Sequence, residues 1–151
     1  MPRPAARQVQ VYSFSDVKIG DEWRSAPVQV AEGAVNAFSK LSGDFNLLHS
    51  DEEYAKRSIF HQRIAHGHLT VSIASGFWSM LFSGKTFAML EANYKFVSPV
   101  FLGDLIVTDV RVIERKPVKK YDGGILKLEL KIMTRKDTLA VEGTITLLLS
   151  N

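Results

Sequence analysis

The stretch GHLTVSIASGFWSMLFSG, residues 67–84, contains no Asp, Glu, Lys or Arg. Its apolar residues at intervals of four are Leu69, Ile73, Phe77 and Leu81. This spacing indicates an α-helix, and the apolar or small residues on its other faces predict that the helix is buried. A helix of about 16 residues would be roughly 24 Å long. It is too short and too rich in Ser and Gly for a membrane span, which needs about 20 apolar residues.

After this helix, apolar and polar residues alternate, which is typical of β-strands with one buried face. Four long strands are predicted, over residues 87–97, 105–113, 125–133 and 141–149. The short links between them favour antiparallel pairing. An early strand near residues 9–14 would complete a fifth. In the first long strand, the residues predicted to share one face are Ala88, Leu90, Ala92, Tyr94 and Phe96.

Helices followed by an antiparallel meander indicate an α+β domain. An apolar helix beside such a meander favours a sheet wrapped around the helix. The chain has 151 residues, a length that fits one domain with a sizeable core. We therefore expect residues 1–151 to form a single domain.

Two further helices are predicted before residue 67. Apolar residues at helix spacing are Val28, Ala31, Val35, Phe38 and Leu41, and Gly43 follows them as the expected end of the helix. Ser50 and Glu53 form the pattern of a capping box, so a short helix should begin at Ser50. The segment between these helices, SGDFNLLHS over residues 42–50, is predicted to be a loop.

Composition excludes several classes of protein. The chain has no cysteine, so disulfides, thiolate metal sites and a cysteine nucleophile are excluded, and a cytoplasmic setting is expected. The first residues lack the apolar core of a signal peptide, and no later run predicts membrane insertion. The net charge of +3 is spread along the chain. Nucleic acid is therefore a weak candidate partner, whereas an anionic small molecule or an acidic carrier protein fits better.

The loop over residues 42–50 contains Asp44, Asn46 and His49. These residues would serve equally as turn formers around the end of a helix. Alternatively, a carboxylate and an imidazole five residues apart converge on one water molecule, which they activate and to which they return protons. Spacing alone leaves both interpretations open.

The segment RIAHGHL, residues 63–69, immediately precedes the buried helix. Gly67 would lie in the first turn, where free N–H groups and the helix dipole stabilise an oxyanion. A plain turn into a core helix is the alternative. A metal site is a weaker alternative. The available imidazoles are His49, His61, His66 and His68. Neither a cysteine nor an HExxH pattern supports such a site.

These motifs together resemble one family. GDFNLLH, residues 43–49, resembles the hydratase motif of the MaoC-like (R)-specific enoyl-CoA hydratases, usually G-D-x-N-P-x-H. RIAHG, residues 63–67, followed by a long apolar helix, is similar to the second signature of that family. YKFVSPVFLGD, residues 94–104, is similar to the strand and turn that follow. Leu47 stands where the family usually has proline, which would favour an extended Asn46.

The resemblance implies a hot-dog fold, in which an antiparallel sheet wraps around a central helix that begins at Gly67. It also implies a homodimer or a dimer of dimers, with an acyl thioester bound near the interface. The implied catalytic groups are Asp44, His49 and the Gly67 N–H. The implied substrate-binding residues are Asn46, which also stabilises the loop, Ser75, which matches a serine near the catalytic Asp, and His66 and His68.

The implied reaction is the reversible hydration of a trans-2-enoyl thioester of CoA or of an acyl carrier protein. The product would be an (R)-3-hydroxyacyl thioester. No metal and no separate cofactor is expected, since CoA is part of the substrate. The alternatives are a hot-dog acyl-CoA thioesterase, which would release free thiol, and a non-catalytic subunit that binds acyl thioesters.

Overall fold

The structure is a computed structural model that describes residues 10–134 and 137–151. Its helices are α1 (Glu32–Ser42), α2 (Leu47–Ser50), α3 (Glu52–Arg57) and α4 (Gly67–Leu81). Its strands are β1 (Glu22–Arg24), β2 (Val28–Gln29), β3 (Thr86–Phe96), β4 (Leu105–Val118), β5 (Gly123–Thr134) and β6 (Leu139–Ser150). Within the described ranges, no helix is long and apolar enough to cross a membrane.

The strands form one antiparallel sheet in the order β1, β4, β5, β6, β3, and β2 also pairs with β4. The four long strands are the predicted ones, and their antiparallel pairing is confirmed. The predicted meander is correct for β4, β5 and β6 but wrong for β3, which pairs with β6 and not with β4. The short strands β1 and β2 were not predicted, because two or three residues are too few to show a period. Both lie along the same edge of β4.

The predicted strand near residues 9–14 is wrong over its described part. Gln10–Ser13 form no strand, and Phe14–Asp16 form a single 3₁₀ turn. The Asp16 carboxylate accepts hydrogen bonds from both the N–H and the hydroxyl of Ser13, at 2.7 Å each. These local bonds close a turn in place of a ladder. Val9 lies outside the described residues.

The first part of strand β3 presents a different face from the one predicted. In its register with β6, Met89 is opposite Leu147 and Ala92 is opposite Ile145. Irregularities in that register occur between Thr86 and Ala88 and between Met89 and Glu91. A bulge changes which residues alternate onto a face. The prediction is therefore correct for Ala92, Tyr94 and Phe96 but wrong for Ala88 and Leu90, whose places Thr86 and Met89 take.

Helix α4 packs one face into the core and leaves the other open. Its buried residues are Leu69, Thr70, Val71, Ala74, Trp78 and Leu81. The core continues in the sheet with Leu126, Leu128, Leu130, Ile132, Ile145 and Leu149, all at most 1% exposed. The residues on its exposed side include His68, Ser72, Gly76, Ser79 and Met80. The prediction that the helix is buried on all faces is thus wrong for the single chain.

The first predicted helix ends as expected but begins later. Gly43 has φ 79° and closes α1, a left-handed conformation that glycine adopts without strain. Val28 instead belongs to β2, and α1 begins at Glu32. The second predicted helix begins at Glu52 with Asp51 as its N-cap, whose carboxylate accepts the Tyr54 N–H at 2.7 Å. The prediction that Ser50 caps this helix is therefore wrong.

Ser50 does not cap α3 because its hydroxyl is used elsewhere. It donates to the carbonyl oxygens of Phe45 at 3.0 Å and Asn46 at 3.2 Å. These bonds tie the last residue of α2 back to the residues that precede it. The segment from Gly43 to Ser50 is therefore a short loop followed by a helical turn, where a loop alone was predicted.

Candidate active site

Asn46 begins α2 and fixes the geometry of the loop before it. Its side-chain oxygen accepts the Leu48 N–H at 3.0 Å, which is an N-cap hydrogen bond. Its backbone has φ −50° and ψ 134°. This is the extended conformation that a proline at position 47 would favour. Leu47 therefore permits the same backbone, and the Asn46 side chain supplies a restraint that does not depend on proline.

Asp44 lies at the exposed start of the loop. Its Oδ1 accepts the Asn46 N–H at 3.1 Å, and its own N–H donates to the Ser42 hydroxyl at 3.2 Å. These two bonds form successive turns that orient the carboxylate. A carboxylate oxygen of Asp44 and a ring nitrogen of His49 lie within 4.8 Å of each other. One water molecule spans such a gap with a hydrogen bond to each group.

His49 is half-buried and is oriented through its Nδ1 atom. Nδ1 lies 2.8 Å from the carbonyl oxygen of Ile64. Because a carbonyl oxygen only accepts, Nδ1 must carry the proton of this bond. In the neutral imidazole Nε2 then holds the lone pair, which is available to take a proton.

The side chain of Arg63 holds the backbone of His49 in place. Its Nε donates to the carbonyl oxygen of His49 at 2.7 Å. Its guanidinium also contacts two α1 residues, Glu32 at 2.6 Å and Asn36 at 3.1 Å. A guanidinium presents its donors in a rigid fork, so one side chain joins α1 to the last turn of α2.

Gly67 and His49 line the same cavity, which has a volume of about 410 Å³. Its other lining residues include Phe60, Ile64, Phe96, Pro99 and Val100, so its wall is mainly apolar. The Gly67 N–H is at the N-terminus of α4 and has no acceptor among the described residues. A Cβ at Gly67 would lie 2.6 Å from Cε1 of Phe96. Only glycine allows this aromatic ring to lie so close to the backbone.

The other three predicted site residues are His66, His68 and Ser75. Of these, only His68 lines the cavity that contains Gly67. His66 is 2% exposed and lies behind His49, with their ring centroids 3.9 Å apart. His68 is exposed and lines both the first cavity and a second one of about 370 Å³. Ser75 lines only the second cavity and donates to the carbonyl oxygen of Ser72 at 2.7 Å.

The structure therefore places Asp44 within 4.8 Å of His49, and His49 and Gly67 on one cavity, with Asn46 supporting the loop. It does not bring Ser75 to Asp44 within one chain. The roles of all these residues remain predictions.

The residues Asp44, His49 and His66 have ligand atoms close enough to surround a cation, all within 4.8 Å of one another. The ring geometry nevertheless disfavours a metal. The planes of His49 and His66 are stacked, with 31° between them. An imidazole lone pair lies in the ring plane, and a bound metal lies about 2.1 Å along it. Stacked rings direct their lone pairs alongside each other and not toward one point.

Several residues at the site were missed in the sequence. They are Glu32, Asn36 and Ser39 on α1, the carbonyl of Ile64, and Phe96 at the end of β3. Ser39 is 4% exposed and follows Val35 by four residues, so it lies on the buried face of α1. A polar residue on an apolar face was the one signal available. The other residues reach the site through tertiary contacts that no local pattern encodes.

Comparison with known proteins gives matches over most of the chain. The family model described as MaoC like domain matches residues 15–131. An (R)-specific enoyl-CoA hydratase of Aeromonas caviae is 36% identical over 131 residues, covering 87% of this chain and 94% of that protein. A mitochondrial 3-hydroxyacyl-[acyl-carrier-protein] dehydratase of Arabidopsis thaliana is 33% identical over 147 residues, covering 92% and 85% respectively.

A solved structure identifies the fold. A protein of Mycobacterium tuberculosis described as having a double hotdog fold aligns with a TM-score of 0.83 at 19% identity. The alignment covers 93% of this chain and 44% of that one. At this identity the likeness concerns the fold alone. The antiparallel sheet packed on α4 is thus a hot-dog fold, as predicted.

Proposed function

The chain belongs to the MaoC-like domain family, and we propose that it is a hydro-lyase that reversibly hydrates a trans-2-enoyl thioester to an (R)-3-hydroxyacyl thioester. Relatives with this activity or its reverse match most of the chain. One observation carries the assignment of the site: Asp44 and His49 lie within 4.8 Å of each other, and His49 shares a cavity with Gly67, whose N–H has no acceptor among the described residues. This arrangement provides both a water-activating pair and an oxyanion donor.

The reaction begins with polarisation of the thioester carbonyl. Its oxygen accepts the Gly67 N–H, and the positive end of the α4 dipole stabilises the charge that develops there. Water held between Asp44 and His49 loses a proton as its oxygen bonds to C3. The C2 carbon gains a proton, so one O–H bond of water and the C2–C3 π bond break while a C3–O and a C2–H bond form. Dehydration follows the same path in reverse.

The proposed substrate is a thioester of CoA or of an acyl carrier protein. One relative is named for CoA and another for the carrier protein, so their names support both carriers. The acyl group would lie against the apolar wall of the first cavity near Phe96 and Val100. The wall favours a hydrocarbon chain by removing apolar surface from water.

The proposal includes no separate cofactor and a cytoplasmic location. Proton transfer and charge stabilisation are assigned to groups of the chain itself, namely Asp44, His49 and the Gly67 N–H. Activity that persists after exhaustive dialysis against a chelator supports the absence of a metal cofactor, and activity restored only by added metal contradicts it. Cell fractionation tests the cytoplasmic location.

A homodimer through strand β3 is also part of the proposal. Among the described residues β3 pairs only with β6, which leaves its outer edge free. Its exposed apolar side chains include Phe87, Met89, Leu90 and Phe96. An unpaired apolar edge favours pairing with a second strand. Light scattering on the purified protein should give twice the mass of one chain, or four times for a dimer of dimers, and a monomer contradicts this part.

The decisive experiment is turnover of crotonyl-CoA, followed by loss of the enoyl-thioester absorbance. Replacing Asp44→Asn keeps the size of the side chain but removes the proton acceptor, so kcat should fall about 10²- to 10⁴-fold. The matched control is Asp51→Asn, an exposed carboxylate nearby that caps α3, since Asn caps a helix as well as Asp does. This control should retain full activity.

Two outcomes would contradict the assignment. Undiminished activity in Asp44→Asn would remove Asp44 from the mechanism. Release of free CoA thiol by the unmodified protein, detected with a thiol reagent, would instead indicate a thioesterase.

A further inference from the structure

The buried imidazole of His66 contacts both members of the proposed pair from behind. It stands at the N-cap of α4, and its side chain makes no capping hydrogen bond. It was predicted to bind substrate, but it is 2% exposed and does not line the cavity. We propose that His66 is a positioning residue, which holds the main chain of Asp44 and the ring of His49 in the geometry for catalysis. This inference rests on the proposed function.

The first contact is a hydrogen bond to Asp44. His66 Nε2 lies 3.1 Å from the carbonyl oxygen of Asp44 and 3.2 Å from the hydroxyl of Ser39. Since the carbonyl oxygen only accepts, Nε2 carries the proton in this bond. This bond fixes the peptide that follows Asp44, while the Asp44 carboxylate accepts the Asn46 N–H. Asp44 is therefore held at both its main chain and its side chain.

The second contact is ring stacking on His49. The two ring centroids are 3.9 Å apart, and the planes are 31° from parallel. The bond from His49 Nδ1 to Ile64 fixes one atom of that ring but leaves rotation about the bond. The His66 ring packs against one face of the His49 ring and restricts that rotation. Phe38 also packs against the His66 ring, with centroids 4.9 Å apart and 57° between the planes, and helps to hold that ring in place.

A third observation separates this role from simple filling of the core. His66 Nδ1 is buried and has no hydrogen-bond partner among the described residues. An unpaired buried polar atom lowers stability, so packing alone would favour an apolar residue here. Histidine combines a flat aromatic face with a donor on the ring edge. Phenylalanine supplies only the face and glutamine only the donor.

Those two residues provide a matched pair of variants. His66→Phe keeps the stacking surface and loses the bond to Asp44, whereas His66→Gln keeps a donor near Nε2 and loses the surface. Misplacement of catalytic groups by about 1 Å costs on the order of 100-fold in rate. We therefore expect kcat with crotonyl-CoA to fall 10- to 100-fold in each variant. KM should change less than about twofold, because His66 does not line the cavity wall.

The control is Thr108→Val, which replaces a buried polar residue of β4 away from the site. It should retain kcat even where its melting temperature falls as much as those of the His66 variants. If kcat falls in proportion to melting temperature in all three proteins, His66 is structural and the proposal is overturned. An unchanged kcat in both His66 variants overturns it as well, as does a rise in KM alone.

A measurement without turnover separates this inference from the proposed function. Nitrogen–proton correlation spectra of the unmodified protein should show His66 protonated at Nε2 and His49 at Nδ1. A His66 protonated at Nδ1 overturns the positioning contact even if the enzyme is active. Conversely, inactivity of the unmodified protein toward enoyl thioesters, with both tautomers as expected, overturns the proposed function and the catalytic role of His66 but leaves the contact itself established.

Discussion

The sheet and the segment that carries the site are stabilised in different ways. Strands β4, β5 and β6 pair over ladders of ten or more residues and bury side chains such as Leu128 and Ile145 completely. Between α1 and α4, residues 43–66 contain only the short helices α2 and α3, which are held by a few hydrogen bonds from side chains. The buried apolar residues of this segment are Ala55 and Ala65, and both side chains are small. Stability therefore comes mainly from the sheet, and the geometry of the site from a few polar bonds.

The largest expected effect tests the sheet half of this comparison. Leu128→Ala removes a side chain that is fully buried in β5. Such a truncation lowers the free energy of unfolding by about 2–5 kcal/mol. The kcat of the folded fraction should not change, since Leu128 does not line the cavity that contains His49 and Gly67. Urea denaturation with parallel kinetics measures both quantities.

The control for this variant is Leu41→Ala on α1, whose leucine is 86% exposed. It should change stability by less than about 0.5 kcal/mol. A comparable loss of stability in both variants, or a strong loss of kcat in Leu128→Ala, would contradict the division between sheet and site.

The second effect tests the site half. Gly67→Ala places a Cβ within 3 Å of the Phe96 ring, which must move. Phe96 is half-exposed, so the ring moves at little cost in stability but changes the shape of the cavity. We expect kcat/KM to fall about 100-fold, the scale for misplacement of a substrate by about 1 Å. The melting temperature should change little.

Gly33→Ala is the matched control, because it lies in the first turn of α1 with open space around it. Adding Phe96→Ala to the Gly67 variant removes the clash and should restore part of the activity. No recovery in the double variant would show that the loss has a cause other than the ring.

The smallest expected effect is a change in the pH dependence of stability. It involves Asp16, which lies outside both the long strands and the segment that carries the site. The N–H and hydroxyl of Ser13 donate to Asp16 and lower the pKa of its carboxyl below the ordinary 3.8. A lowered pKa in the folded state adds stability above the ordinary value, which is lost as the pH falls through the folded pKa. Asp16→Asn should therefore lower the melting temperature slightly at pH 7, with no difference at strongly acid pH.

Glu22→Gln, an exposed carboxyl change on β1, serves as the control for the pH series. A difference between Asp16→Asn and the unmodified protein that grows as the pH falls below 3.8 would contradict the assignment.

The same contrast explains which features could be predicted from sequence. Alternation over nine or more residues is a strong local signal, so β3 to β6 and their antiparallel pairing were predicted. The position of β3 beside β6 was not, because it depends on how the sheet closes and not on a local pattern. The bulges of β3 leave no mark in that pattern, and Leu90 was therefore assigned to the wrong face. The choice of Asp51 over Ser50 as a cap depended on the Ser50 hydroxyl reaching Phe45, which only the folded loop reveals.

For the site, the motifs indicated Asp44, His49 and Gly67. In the fold, Asp44 lies within 4.8 Å of His49, and His49 lines a cavity with Gly67. The contacts that orient them were not predictable, because they join residues distant in sequence. Nε2 of His66 reaches back to Asp44, and Arg63 reaches Glu32. Such pairs are determined by how α1, α2 and α4 pack and not by any periodicity.

The irregular register of β3 has a consequence for self-assembly. A straight exposed edge with apolar side chains is a template on which strands add without limit, which is the route to fibrils. Bulges increase the local twist and bend of a strand, so a partner aligns with the edge only over a limited length. The two irregularities in β3 thus oppose open-ended growth while they leave room for one short, closed pairing.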